Sequence, residues 1–131
     1  MEKKEISDLE DIKRLVDRFY GKVREDQLLK DIFNDTIQDR WPLHLDKMYR
    51  FWQTLLFEDA VTYQGSPFLP HAKLPVKKEH FDRWMKLFTE TVDELFNGEK
   101  AENAKWRAAR MAEMFHHKIE YYRNRPAKPL L

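Results

Sequence analysis

The sequence contains no cysteine. Disulfides, thiolate nucleophiles, iron–sulfur clusters and cysteine-based zinc sites are excluded together. Only three glycines occur, Gly21, Gly65 and Gly98, and they form no glycine-rich loop for a flavin or nicotinamide cofactor. Neither sign of charge is in excess, with 24 Lys plus Arg against 23 Asp plus Glu. No broad field therefore exists to attract nucleic acid or an anionic membrane. No apolar run approaches the roughly 20 residues of a membrane span, and the opening MEKKEISDLE is too polar for a signal peptide. A soluble, cytoplasmic protein with no nucleic-acid or membrane partner is expected. Val, Ile and Thr, five of each, are scarce beside Leu, Lys, Glu and Arg. Helix formers fit that balance and a sheet does not, so the expected fold class is all-α.

What the 131 residues do contain is aromatic mass: nine Phe, five Tyr and four Trp, ample for one hydrophobic core. A single domain over 1–125 is expected, with 126–131 as a flexible tail. Ser7 and Glu10 have capping-box spacing. Leu9, Ile12, Leu15, Val16, Phe19 and Val23 then recur at steps of three or four, one face of a helix. Asp26 can begin a short second helix carrying Leu28, Leu29, Ile32 and Phe33, and Asn34–Arg40 reads as a loop. Trp41-Pro42 restarts the chain, and His44, Met48, Phe51, Trp52 and Leu55 form the inner stripe of a helix over 43–57. Gly65, Pro67, Pro70 and Pro75 forbid a long helix between 58 and 75. A helix over 76–96 follows, with Phe81, Trp84, Met85, Phe88, Val92 and Leu95 inward, and Asn97-Gly98 stops it. The last helix, 99–122, is expected to turn Trp106, Met111, Met114, Phe115, Ile119 and Tyr122 toward the core.

Most aromatics at helical spacing need no role beyond packing. His116 and His117 are adjacent, hence on different helix faces, and read as structural or surface residues. His71 differs. It lies in SPFLPHAKLP, a short stiff segment that pre-positions one imidazole, and neutral imidazole is the common protein ligand of haem iron. Tyr20, His44 and Trp84 each carry a polar group on a largely apolar ring and fall on inward faces. They suit a polar spot inside an apolar cavity; pattern alone equally allows ordinary amphipathic residues at helix edges.

Five segments share their order and separation with one family: FYGKVRED (19–26), DIFN (31–34), WPLHLDKMYRFW (41–52), YQGSPFLPHAKLP (63–75) and HFDRWMKLFTETVDELF (80–96). The chain resembles the truncated haemoglobins over about residues 9–122. Absence of Gly-Gly pairs at the ends of the early helices, and a histidine in the distal helix, favour the group III branch. The resemblance implies a two-over-two helical sandwich around haem b (iron protoporphyrin IX). In that fold the helix carrying the proximal histidine is mostly replaced by loop. It implies His71 as the proximal iron ligand, with Tyr20, His44 and Trp84 on the distal, ligand-stabilising side. Lys47 matches the basic residue that meets a haem propionate. Phe33, Met48, Phe51, Trp52, Phe68, Leu74 and Phe81 are expected to line the cofactor.

The function so implied is reversible binding of O2, and of NO or CO, at a histidine-ligated iron. Two readings of His44 stay open: it gates the pocket or binds the iron itself. Two other functions also stay open. One is an enzyme using bound O2 or peroxide, an NO dioxygenase or peroxidase-like protein, which needs an electron-donating reductase as partner. The other is a cofactor-free helical interaction module.

Overall fold

The computed structural model describes residues 3–57 and 74–124. Among these residues the chain forms five helices and no strand: α1 (Leu9–Val23), α2 (Lys30–Ile37), α3 (Trp41–Leu56), α4 (Lys78–Leu95) and α5 (Glu99–Asn124). The fold class is therefore all-α. Among them, too, no helix is long and apolar enough to cross a membrane.

The start of α1 differs from the expected Ser7 cap by one residue. Asp8 is the N-cap, accepting from Asp11 N at 3.0 Å, and the Asp11 carboxylate accepts from Ser7 N and Ser7 Oγ, each at 2.9 Å. The shift follows from chemistry: a carboxylate caps at least as well as a hydroxyl and also answers the positive end of the helix. Ile12, Leu15, Val16, Phe19, Tyr20 and Val23 form the buried face.

α2 also departs from expectation. It starts at Lys30, and Asn34–Ile37 is helical rather than loop, because Ile37 is buried in the main core and anchors the last turn. Asp26 shapes the turn before it, accepting from Leu28 N and Leu29 N at 3.0 and 3.1 Å and from Arg83 Nη1 at 2.7 Å. That ion pair ties the α1–α2 connection to α4.

Two helix pairs stack. Along α1 and α3 the contacts run in opposite directions: Asp17 meets the Tyr49 hydroxyl, Tyr20 meets His44, and Arg24 lies over Trp41. α4 and α5 run antiparallel across a three-residue connection, with Lys105 Nζ 2.6 Å from Asp93 and Phe81 against His116. The pairs cross through α1 and α4, where Phe19 sets its edge on Phe88 (centroids 5.2 Å) and Trp84 (5.4 Å). The result is a two-over-two sandwich. Gly98, at φ 124°, turns the chain between α4 and α5 in a conformation that favours glycine. Glu5 caps the start of α5, accepting from Lys100 N at 2.8 Å and Ala101 N at 3.0 Å.

The inner face of α5 is not the one expected. Trp106, Met114 and Tyr122 are exposed, and the buried residues are Ala101, Ala104, Ala108, Ala112, Phe115 and Ile119. Steps of 3, 4, 4, 3 and 4 make this a true helical stripe. Alanine lets α5 approach its neighbours closely, so the small residues face inward and the larger Trp106 is left outside, covered in part by Arg110 at 5.3 Å from its ring. Met111, Phe115 and Ile119 face inward as expected; Met111 is half-buried.

Candidate functional site

The last turn of α1 and the first turn of α3 bring three polar-tipped rings together. The Tyr20 ring stands perpendicular to His44 (centroids 5.3 Å, 87°), and His44 is in turn perpendicular to Trp41 (5.6 Å, 89°). Tyr20 also meets Trp41 at 5.8 Å, Phe33 of α2 at 6.1 Å and its neighbour Phe19 at 4.9 Å. Edge-to-face contacts of this kind hold aromatic rings in fixed relative orientations. The corner is pinned from outside. Trp41 Nε1 donates to Asn34 Oδ1 at 3.2 Å, and the Arg24 guanidinium lies 4.5 Å from the Trp41 ring. Trp41 and Asn34 were not among the expected site residues. The signal for Trp41 was its spacing, three residues before His44 on the same helical face.

Tyr20 is buried, and its hydroxyl has no hydrogen-bond partner among the described residues. Burial alone pushes its phenol well above the ordinary tyrosine range, so the proton stays on Oη across the physiological pH range. His44 is half-buried beside it.

Trp84 joins the corner through Phe19 rather than directly. It also stacks on Phe88 (5.6 Å, 6°), and Phe88 stacks on Trp52 (5.0 Å, 20°), a three-ring pile through the interior. Trp52 and Phe51 lie fully in the main core. Met48 and Phe33 are half-buried against that core. Leu74 and Phe81 belong instead to a second apolar group around Val76, Phe115 and Ile119. Lys47 is exposed one turn from Arg50 and pairs with no carboxylate among the described residues. His80 is used structurally: its Nδ1 accepts from Lys77 N at 2.8 Å at the start of α4. His71 and Phe68 lie outside the described residues.

The helical arrangement is that of a truncated globin. The family of bacterial-like globins matches residues 5–120. The chain is 34% identical over 117 residues to the group 3 truncated hemoglobin ctb of Campylobacter jejuni, covering 86% of this chain and 91% of that protein. The crystal structure of the group III truncated hemoglobin from Campylobacter jejuni superposes with a TM-score of 0.81 at 33% identity, over 90% of this chain and 95% of that one. The chain belongs to the group III truncated haemoglobins.

Membership in a globin family implies haem binding, and the residues present fit such a group. Tyr20 is a buried residue whose hydroxyl, a donor, bonds no other described residue. Met48 and Phe33 are half-covered apolar side chains against the main core, Leu74 and Phe81 are half-covered against the second apolar group, and Lys47 is an exposed cation.

Proposed function

We propose that the protein binds haem b through His71 and holds O2 on the side lined by Tyr20, His44 and Trp84. The observation that carries this reading is the buried Tyr20 side chain, whose hydroxyl bonds no other described residue and whose ring stands against His44. When bound, a haem would supply an iron able to take a diatomic ligand.

The chain's own residues do the rest. Tyr20 keeps its proton at Oη and would donate a hydrogen bond through it to a ligand atom that carries partial negative charge, which favours O2 over CO. Its ring is fixed by Phe19, Phe33 and Trp41, so little reorientation is needed before that bond forms. Trp84 offers a second donor, Nε1–H. Met48, Leu74 and Phe81 exclude water, with Phe68 completing the wall, while Lys47 neutralises a carboxylate at the solvent edge. His44, half-buried next to Tyr20, controls access to the pocket.

The same arrangement favours retention of O2 over rapid delivery, and so supports reaction of the held ligand with NO in the cytoplasm, with electrons from a separate reductase. Purified protein is expected to show a Soret band and a pyridine haemochrome of haem b at one per chain. His71→Ala is expected to lose haem or hold it loosely; unchanged haem content and spectra in that variant overturn the proximal assignment. Stopped-flow mixing of the O2-loaded protein with NO, followed by turnover with a reductant, separates reaction from carriage: no sustained turnover reduces the function to binding.

A further inference from the structure

The end of α5 reaches across to the backbone that enters α4. Arg123, in the last turn of α5, donates from Nη2 to the carbonyl oxygens of Val76 at 2.9 Å and Leu74 at 3.3 Å. From Nη1 it donates to the Glu120 carboxylate, 3.3 Å away and one turn earlier on the same helix. Glu120 thus keeps the guanidinium turned toward the backbone it holds. The Leu74 oxygen also accepts from Val76 N at 2.9 Å, which folds these residues into a three-residue turn around Pro75. Proline cannot donate, so the turn has few backbone bonds of its own. A guanidinium is always charged and presents its N–H groups in a fixed fork, which lets one side chain hold two carbonyls.

The latch closes over the smaller of two apolar groups. Val76 is buried with Phe115 and Ile119, and Leu74, Phe81 and Met111 pack against them. Tyr20, Trp52 and Phe88 belong to the main core instead. Arg123 therefore fastens the smaller group at the point where the chain enters α4. His71 stands three positions before Leu74 in the sequence. Three residues span no more than about 11 Å, and Pro70 and Pro75 reduce the freedom to absorb a shift. A displacement of Leu74 is thereby passed to the residue that carries the imidazole.

We propose that Arg123 is a positioning residue for the proximal histidine: by holding the Leu74 and Val76 carbonyls, it fixes the point from which the His71 segment departs. The inference rests on the reading of His71 as the iron ligand, and it gives the far end of α5 a task in retaining the cofactor.

The test compares Arg123→Met with Arg123→Lys in the haem-loaded full chain. Methionine keeps an apolar stem and removes every donor, whereas lysine keeps a charged donor. Transfer of haem to excess apomyoglobin is expected to run several-fold faster from Arg123→Met, with Arg123→Lys in between. The iron–histidine stretch of the ferrous, ligand-free protein, read by resonance Raman, is expected to shift or broaden in Arg123→Met and to return toward its original position in Arg123→Lys. A bond that served stability alone would leave that frequency where it was. An unmoved frequency, or haem loss at the original rate, in folded Arg123→Met overturns the proposal. Lys78→Met is the control, because it removes the exposed Lys78–Asp82 pair of 2.9 Å at the start of α4 and spares the latch. It is expected to match the unmodified protein, and a control that loses haem as fast as Arg123→Met overturns the proposal. A further readout needs no haem chemistry. Trypsin cleaves after Lys77, the residue next to Val76 that precedes α4. Cleavage there, followed by mass spectrometry, is expected to quicken in Arg123→Met, and an unchanged rate removes the latch. Failure of the haem reading is distinguishable: a missing iron–histidine band in the unmodified protein removes the role of His71, whereas a normal band that ignores Arg123 removes the latch alone.

Discussion

Replacing Tyr20 by Phe deletes one oxygen atom and keeps the ring, so the contacts to Phe19, Phe33, Trp41 and His44 survive. In the haem-free protein that oxygen belongs to a buried residue and bonds no other described residue. Burying such a hydroxyl costs about 1–3 kcal/mol by mutational data, so Tyr20→Phe should leave haem-free stability unchanged or raise it by up to that amount. With O2 bound the sign reverses. A hydrogen bond to a charge-bearing acceptor contributes about 1.5–3 kcal/mol. At about 1.4 kcal/mol per decade, its loss speeds O2 release by roughly one to two decades, provided the bond is absent from the release transition state. Urea unfolding of the haem-free protein and stopped-flow displacement of O2 by CO measure the two halves. Opposed effects, a chain no less stable with faster release, identify a residue kept for its ligand. A less stable haem-free variant with unchanged O2 release refutes the reasoning and makes the hydroxyl a structural bond; an unchanged rate with unchanged stability moves the donor role to Trp84.

Ala108 is fully buried in the α5 stripe, whereas Trp106 is 57% exposed. Ala108→Leu should therefore cost about 1–3 kcal/mol by overpacking and Trp106→Ala no more than about 1 kcal/mol, both read from denaturant midpoints; the reverse order contradicts the orientation of α5. Gly98→Ala combines an unfavourable positive φ with a Cβ pressed against the Glu5 carboxylate that caps α5, and thermal unfolding should show a loss of more than about 1 kcal/mol. Asp11 gives a pH signature. Burial raises its carboxyl pKa, but hydrogen bonds from Lys4 and Ser7 outweigh that and hold it below the ordinary 3.8. A carboxyl whose native pKa lies below its unfolded one contributes fully above about pH 4 and loses that contribution as pH falls through the native value. Asp11→Asn should thus flatten the acid limb of the stability curve, and an identical limb in both proteins contradicts the assignment.

Helix existence was legible in the sequence because apolar spacing survives wherever large residues do the packing, as along α1 and α4. It misled on α5, where the inward stripe is alanine. Hydrophobic size drew attention to Trp106 and Met114, yet close helix approach depends on the smallest residues of the stripe, Ala104 and Ala108. The end of α2 was hidden for a related reason: one buried Ile37 outweighs a run of polar neighbours. The resemblance to the truncated haemoglobins named Tyr20, His44 and Trp84, and the fold brings Tyr20 and His44 into contact while Trp84 joins through Phe19. Trp41 and Asn34 escaped notice because their part is to fix the corner, a task with no residue signature of its own.

The vibrational spectrum of CO bound to the ferrous protein tests the central claim most directly, because the C–O stretch responds to a hydrogen-bond donor facing the ligand. The account predicts a lowered frequency in the unmodified protein that rises in Tyr20→Phe. A band at the same frequency in both proteins contradicts it.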